Sequence, residues 1–310
     1  MEKTDKLIYL DWNIFQDIKQ NRNAEDLKNI LSKAKQRNYI FPYSYSHIRD
    51  LSRSTNKEYI DEDLKFISMF CDNYCLHYNA DNENDFYIEK KNSQEVMEYL
   101  KQQNAMIKKV NCTFLFPRYR VDMNKISQDN ILFPYLEKNN FIMSPELINT
   151  FAKSLYPVIF ENYQMQKKFK NSLEELIKIN CPAFQEVLNL PIYKHFLSDR
   201  CTIMNNFSEI FNSFLSLSNK SQDKIKFGEQ ITTASNMLEF LPAFSEKINK
   251  KNNINNITTD SEHFFWGASS KYYITNDEKH SEKIGFLYAY FHIKTKVYTK
   301  KEFVRNITFM

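Results

Sequence analysis

Residues 7–13 read LIYLDWN, and the reading of this stretch decides the fold. Leu7, Ile8, Tyr9 and Leu10 form a short apolar run suited to a buried strand, and Asp11 closes it. An ionised carboxylate beside a dry strand is costly unless something pairs with it. The same form returns near the other end of the chain. KYYITND, residues 271–277, is a strand that closes on Asp277.

Working outward from LIYLDWN, a short helix is expected over Ile14–Lys19. NAEDLKNILSKAKQ, residues 23–36, is an amphipathic helix with Asn23 as its cap, Glu25 and Asp26 in its first turn, and Leu27, Ile30, Leu31 and Ala34 on one face. Tyr39, Ile40 and Phe41 make a second short strand ended by Pro42. Ser44 or Ser46 then caps a helix carrying His47 and Asp50. Residues 258–270, TTDSEHFFWGASS, form a helix before the KYYITND strand. Another helix, the strand KTKVYT and a last helix follow. Strands alternating with helices of this length imply a parallel sheet.

The middle of the chain reads differently. Residues 56–255 are mostly helical, with one short strand near 75–79. Pro157 is expected to kink or split a long helix that opens at Ser144, and Pro242 to kink or break the one running from Glu229 to Ile248. The expected architecture is therefore α/β. Residues 1–55 and 256–310 build one discontinuous core with a central parallel sheet flanked by helices, and 56–255 are a large helical insertion.

Composition removes several function classes. The chain has 310 residues and a net charge of only +4, so no global charge argument for nucleic acid is available. Its three glycines are Gly228, Gly267 and Gly285, and residues 1–227 contain none. Glycine-rich phosphate loops and dinucleotide fingerprints need several closely spaced glycines, which argues against an ordinary ATPase or a nucleotide-cofactor dehydrogenase. Five cysteines without a framework point to reduced thiols and a cytoplasmic setting. No apolar run approaches the roughly 20 residues of a membrane span, and the charged start, Met1–Lys6, does not read as a signal peptide.

Four acids fall at equivalent places in this scheme. Asp11 and Asp277 end strands, Asp50 lies on the helix after the second strand, and Asp260 opens the helix beginning at Thr259. In open parallel sheets, ligands bind at the carboxyl ends of the strands. Several carboxylates in one cleft stay ionised together only around a cation, and oxygen-only ligation selects Mg²⁺ or Mn²⁺. Singly, each Asp is more often a helix cap. Thr259-Asp260-Ser261-Glu262 in particular matches a capping box, whereas Asp11 and Asp277 resist that explanation better.

Together these residues resemble the PIN domain, a metal-dependent nuclease fold. LIYLDWN matches its first motif at Asp11. FPYSYSHIRDL matches its second, with Asp50 where Glu is usual. Asp260 matches the third, and Thr275-Asn276-Asp277 the fourth. The resemblance covers about residues 5–60 and 255–310. It implies an endoribonuclease using Mg²⁺ or Mn²⁺ to direct water at an RNA phosphodiester, leaving a 5′-phosphate and a 3′-hydroxyl. It assigns Asp11, Asp260 and Asp277 as metal ligands, with Asp50 as a ligand or an orienting group. Asn13 and Thr275, with Asn276, could steady the carboxylates or a phosphate. Bacterial members are often toxins or antiviral effectors, which makes an antitoxin or defence component, bound through the insertion, the expected protein partner. A DNA nuclease and a catalytically inactive RNA- or protein-binding module stay open as alternatives.

Flanking residues add weaker signals. His47 and His263 each lie one helical turn from an acid, read either as carboxylate or phosphate contacts or as ordinary hydrogen-bonded helix histidines. Lys283 could neutralise a phosphate but reads better as a solvated lysine. Trp12 and Trp266 read as packing residues rather than base-stacking ones. Arg118 and Arg120 in FPRYRV, and the basic run at 166–170, are candidate RNA contacts.

Overall fold

The structure is a computed structural model that describes residues 6–79, 85–106, 119–144, 146, 147, 150, 162–179, 190–216, 220–245 and 254–308. The chain divides into two compact units. The first takes in residues 1–108, 227–235 and 259–310, more than the two ends alone, and the second takes in 109–226 and 236–258.

In the first unit, β1 (Ile8–Leu10) is wholly buried and runs directly into α1 (Trp12–Gln20). α2 (Glu25–Gln36) follows, then α3 (Tyr45–Ser52) and α4 (Lys57–Phe70). The N-cap of α2 is Ala24, not Asn23, whose φ of 47° places it in a left-handed turn before the helix. β2 (Tyr74–Asn79) and β3 (Asp85–Lys90) form an antiparallel hairpin, and α5 (Ser93–Met106) comes next. The strand expected at Tyr39–Phe41 is reduced to isolated parallel bridges, Leu7 with Ile40 and Tyr43 with Cys75. Pro42 stands between them and has no N–H to donate to a ladder.

The second unit carries a two-residue ribbon of β4 (Tyr119–Arg120) and β5 (Ile142–Met143), with α6 (Phe133–Lys138) between them. Helices α7 (Tyr163–Lys178), α8 (Pro191–Lys194), α9 (Arg200–Asn205) and α10 (Phe207–Ser216) follow. Its core includes the buried Ile192, Phe196, Phe207, Phe211, Met237 and Leu241. α11 (Phe227–Phe240) stops just before Pro242, where a break was expected. Pro157 and Arg118 lie outside the described residues. Arg120 is described and exposed on β4, and Lys167 and Lys168 are exposed on α7.

The chain then returns to the sheet with α12 (Ile254–Gly267), β6 (Tyr272–Thr275), α13 (Glu278–Tyr290), β7 (Lys296–Thr299) and α14 (Lys300–Asn306). β1, β6 and β7 form a three-stranded parallel sheet in that order, so the fold is mixed α/β. Ile8 pairs with Tyr272 and Leu10 with Ile274. Alternate strand residues face opposite sides. Ile8, Leu10 and Ile274 join a core with Ile14, Leu31 and Ile48. On the opposite face, Tyr9 stacks on Tyr273 with ring centroids 5.4 Å apart.

Candidate acidic site at the sheet edge

Parallel pairing continues one residue past β1. The Asp11 N–H donates to Ile274 O at 2.9 Å, which brings Asp11 beside Thr275 at the end of β6. Asp11 is 6% exposed and holds three donors: the Trp12 N–H at 2.7 Å, Asn13 Nδ2 at 2.8 Å and Thr275 Oγ1 at 2.7 Å. Thr275 Oγ1 in turn accepts the Asp277 N–H at 3.2 Å, and Asn13 Oδ1 accepts the Asn276 N–H at 3.2 Å. The expected pairing of Asn13 and Thr275 with the first carboxylate is therefore present, and the two strand-ending acids belong to one hydrogen-bonded turn. Asp277 itself is exposed, and its Oδ1 accepts the His280 N–H at 3.0 Å.

The capping assignments come out reversed. Asp11 is the N-cap of α1 and Asp277 the N-cap of α13. Asp260, for which a capping box was expected, lies inside α12, which starts earlier, at Ile254. Glu262, the acid of that box, instead turns to α3, where it pairs with Arg49 and accepts Ser46 Oγ at 3.2 Å.

α3 and α12 meet along a line of such contacts. Tyr45 stacks on Trp266 at 5.9 Å, Asp50 Oδ2 accepts His263 Nε2 at 2.9 Å, and Arg53 bonds Thr259 Oγ1. Rising residue numbers on α3 meet falling numbers on α12, so the helices are antiparallel. Asp50 is also held by Arg53 at 3.0 Å. Trp266 packs here among Tyr45, Phe86 and Phe265, as a packing residue should.

Both histidines are buried and take no part at the surface. His47 Nδ1 accepts the Ser44 N–H at 2.9 Å, so its proton sits on Nε2, which donates to Leu10 O at 2.7 Å. It completes the N-terminal cap of α3 at Ser44, and burial pushes its pKa well below the usual value. His263 Nδ1 lies 2.7 Å from Tyr9 Oη, which is also 2.8 Å from Ser44 Oγ. Burial pulls the His263 pKa down, but the bond to Asp50 and the charges of Asp50, Asp11 and Asp260 outweigh it and leave the pKa raised. With no exposed surface, neither ring can touch a phosphate. Lys283 is also buried, at 4% exposure, not solvated. It follows His280 by three residues on α13, so helical periodicity puts both on the packed face.

The charges of the acids bear on two buried histidines: Asp11, Asp50 and Asp260 act on His263, and Asp11, Asp277 and Asp50 act on His280, whose pKa burial nevertheless lowers. The acids do not close into a cage. Among the described residues, no three His, Cys, Asp or Glu side chains gather where one ion could sit. Magnesium, however, keeps several waters and is commonly bound by one or two carboxylates plus substrate phosphate. Asp11 and Asp277 suit that mode. Asp277 keeps most of a carboxylate's roughly four acceptor positions, and Asp11 keeps about one. Asp50, gripped by His263 and Arg53, suits an orienting role better than a ligand's.

Sequence reasoning missed Tyr9, Asp17, Arg53 and Lys300 as members of this network. The period of the strand could have flagged Tyr9, which faces away from Ile8 and Leu10. Asp17 stands four residues after Asn13, on the same face of α1. The chain matches no protein-family model, no curated protein and no solved structure. Among the described residues, no helix is long and apolar enough to cross a membrane.

Proposed function

We propose that this chain is a PIN-like, divalent-metal-dependent endoribonuclease whose site is the sheet edge at Asp11 and Asp277. One observation carries the reading. Of two neighbouring parallel strands, β1 leads straight into Asp11 and β6 reaches Asp277 two residues past its last residue, and Thr275 Oγ1 links the two acids by donating to Asp11 and accepting from the Asp277 N–H. Asp11 and Asp277 would hold Mg²⁺ or Mn²⁺, with Asp50 fixed by His263 and Asp260 contributing charge from α12 rather than a ligand. The ion, when bound, lowers the pKa of water and screens phosphate charge. Asn13 and Thr275 hold the Asp11 carboxylate in a single orientation. Asp277, being exposed, meets the substrate side of the edge.

Cleavage of labelled single-stranded RNA with Mn²⁺ tests this. Asp11→Asn and Asp277→Asn should each slow cleavage at least about 100-fold, about 2.7 kcal/mol of transition-state stabilisation at 1.36 kcal/mol per tenfold. Variants that cut as fast as the wild-type chain would refute the assignment. Faster turnover of single-stranded or flap DNA would move the reading to a DNA nuclease. An absence of both turnover and ion-induced stabilisation would leave a binding module.

A further inference from the structure

Asp17 carries a charge that the proposed chemistry does not use. It lies on α1, is only 8% exposed, and takes two donors on one oxygen: Asn276 Nδ2 and Lys300 Nζ. Asn276 is the residue between Thr275 and Asp277, the turn that joins the two strand-ending acids. Its backbone N–H goes to Asn13 Oδ1, one helical turn before Asp17 on the same face of α1. Asn13 Nδ2 then donates to Asp11. One face of α1 thus grips the Thr275–Asp277 turn twice, once through its backbone and once through the Asn276 side chain.

A buried carboxylate with a cation beside it is a demanding arrangement, because each charge left alone would be strongly unfavourable. Lys300 meets that need from the first turn of α14, and its Nζ also reaches Arg22 O at 3.2 Å. A neutral apolar pair could tie α14 to α1 as well. Only an acceptor at 17 can hold the Asn276 amide.

We propose that Asp17, neutralised by Lys300, is a positioning residue that sets Asp277 relative to Asp11 through Asn276. The inference rests on the reading of Asp11 and Asp277 as an ion-holding pair. Loss of the Asp17 acceptor frees the Asn276 side chain, and the turn then no longer fixes the place of Asp277 relative to Asp11. Partners that hold a ligating side chain change metal affinity by about 10- to 100-fold when replaced.

The test is Mn²⁺ binding to the full chain by electron paramagnetic resonance, without RNA, alongside thermal unfolding. Asp17→Leu keeps the approximate size and removes the acceptor. Asn276→Ala removes the other end of the contact at an exposed position, so it reports even if Asp17→Leu folds poorly. Each should weaken Mn²⁺ binding at least about 10-fold. The double variant should be no weaker than the weaker single, since both break one link. A merely structural Asp17 would lower the unfolding temperature and leave Mn²⁺ affinity alone. Wild-type affinity in Asn276→Ala, or losses that add in the double variant, would overturn this inference while the ion site stands. A wild-type chain that binds no Mn²⁺ would overturn both.

Discussion

Replacement of Gly267 by Ala tests how α12 is seated on the sheet, because Gly267 ends the helix that carries Asp260 and His263. Its backbone needs no glycine for conformational reasons, since none of the described glycines has positive φ. The need is steric. A Cβ at 267 would lie 2.1 Å from Tyr273 Cδ2, 2.7 Å from Tyr273 Cε2 and 2.9 Å from Tyr288 Oη. Neither ring can step aside. Tyr273 is fully buried, stacked on Tyr9 and bonded to His280 at 3.1 Å, while Tyr288 donates to Phe264 O at 2.6 Å. The helix must lift by about an ångström, and overpacking of this kind costs about 1–3 kcal/mol and occasionally more. Higher helix propensity of Ala offsets less than about 1 kcal/mol at a helix end. We expect Gly267→Ala to lose about 2–3 kcal/mol. Gly285→Ala is the control. Position 285 lies inside α13 with nothing within 4 Å of the added Cβ, so it should gain about 0.5–1 kcal/mol. Urea unfolding followed by tryptophan fluorescence measures both, since the two tryptophans, Trp12 and Trp266, belong to the first unit. Wild-type stability in Gly267→Ala would refute the close seating of α12 on β6.

Tyr9→Phe removes one hydroxyl that serves both Ser44 and His263, and two buried polar atoms left short of a partner should lower stability by about 2–4 kcal/mol in the same urea assay. His47 and His280 have lowered folded-state pKa values, so the unfolded chain binds their protons first. Their contribution is intact above about pH 6.5 and is lost progressively as pH falls below it, whereas His263, with a raised pKa, contributes stability below that point that is lost as pH rises through its folded value. His77, whose pKa burial also lowers, acts in the same sense as His47 and His280, and the His263 contribution levels off below about pH 6.5, so the unfolding temperature should fall between about pH 6.5 and 5, read by differential scanning calorimetry. Among Cys71, Cys75 and Cys201, only Cys201 is exposed, while burial raises the Cys71 thiol pKa and pushes Cys75 up to about 12. Maleimide labelling with mass spectrometry should therefore modify Cys201 before Cys71 and Cys75.

Much of the local structure was legible because it depends on near neighbours alone. Short apolar runs closed by Asp11 and Asp277 announced β1 and β6, the Ser44/Ser46 pair announced the start of α3, which falls at Ser44, and Pro242 the end of α11. The strand at Tyr39–Phe41 failed because a tertiary ladder, not the run's β-propensity, decides pairing, and Pro42 interrupts that ladder. The capping reading of Asp260 failed because a four-residue motif says nothing of where a longer helix begins.

By itself the sequence determined which residue types stand at the sheet edge, that the strands alternate with helices, and that no glycine-rich phosphate loop exists. Only the tertiary structure decided how those residues are used. His263 meets Asp50 across 213 positions of sequence, and Lys300 meets Asp17 across 283. Such pairs follow from the register of β1 on β6 and from the approach of α12 that Gly267 permits. Both are properties of packing, where the position of one side chain is fixed by all the others around it, and no local pattern encodes that.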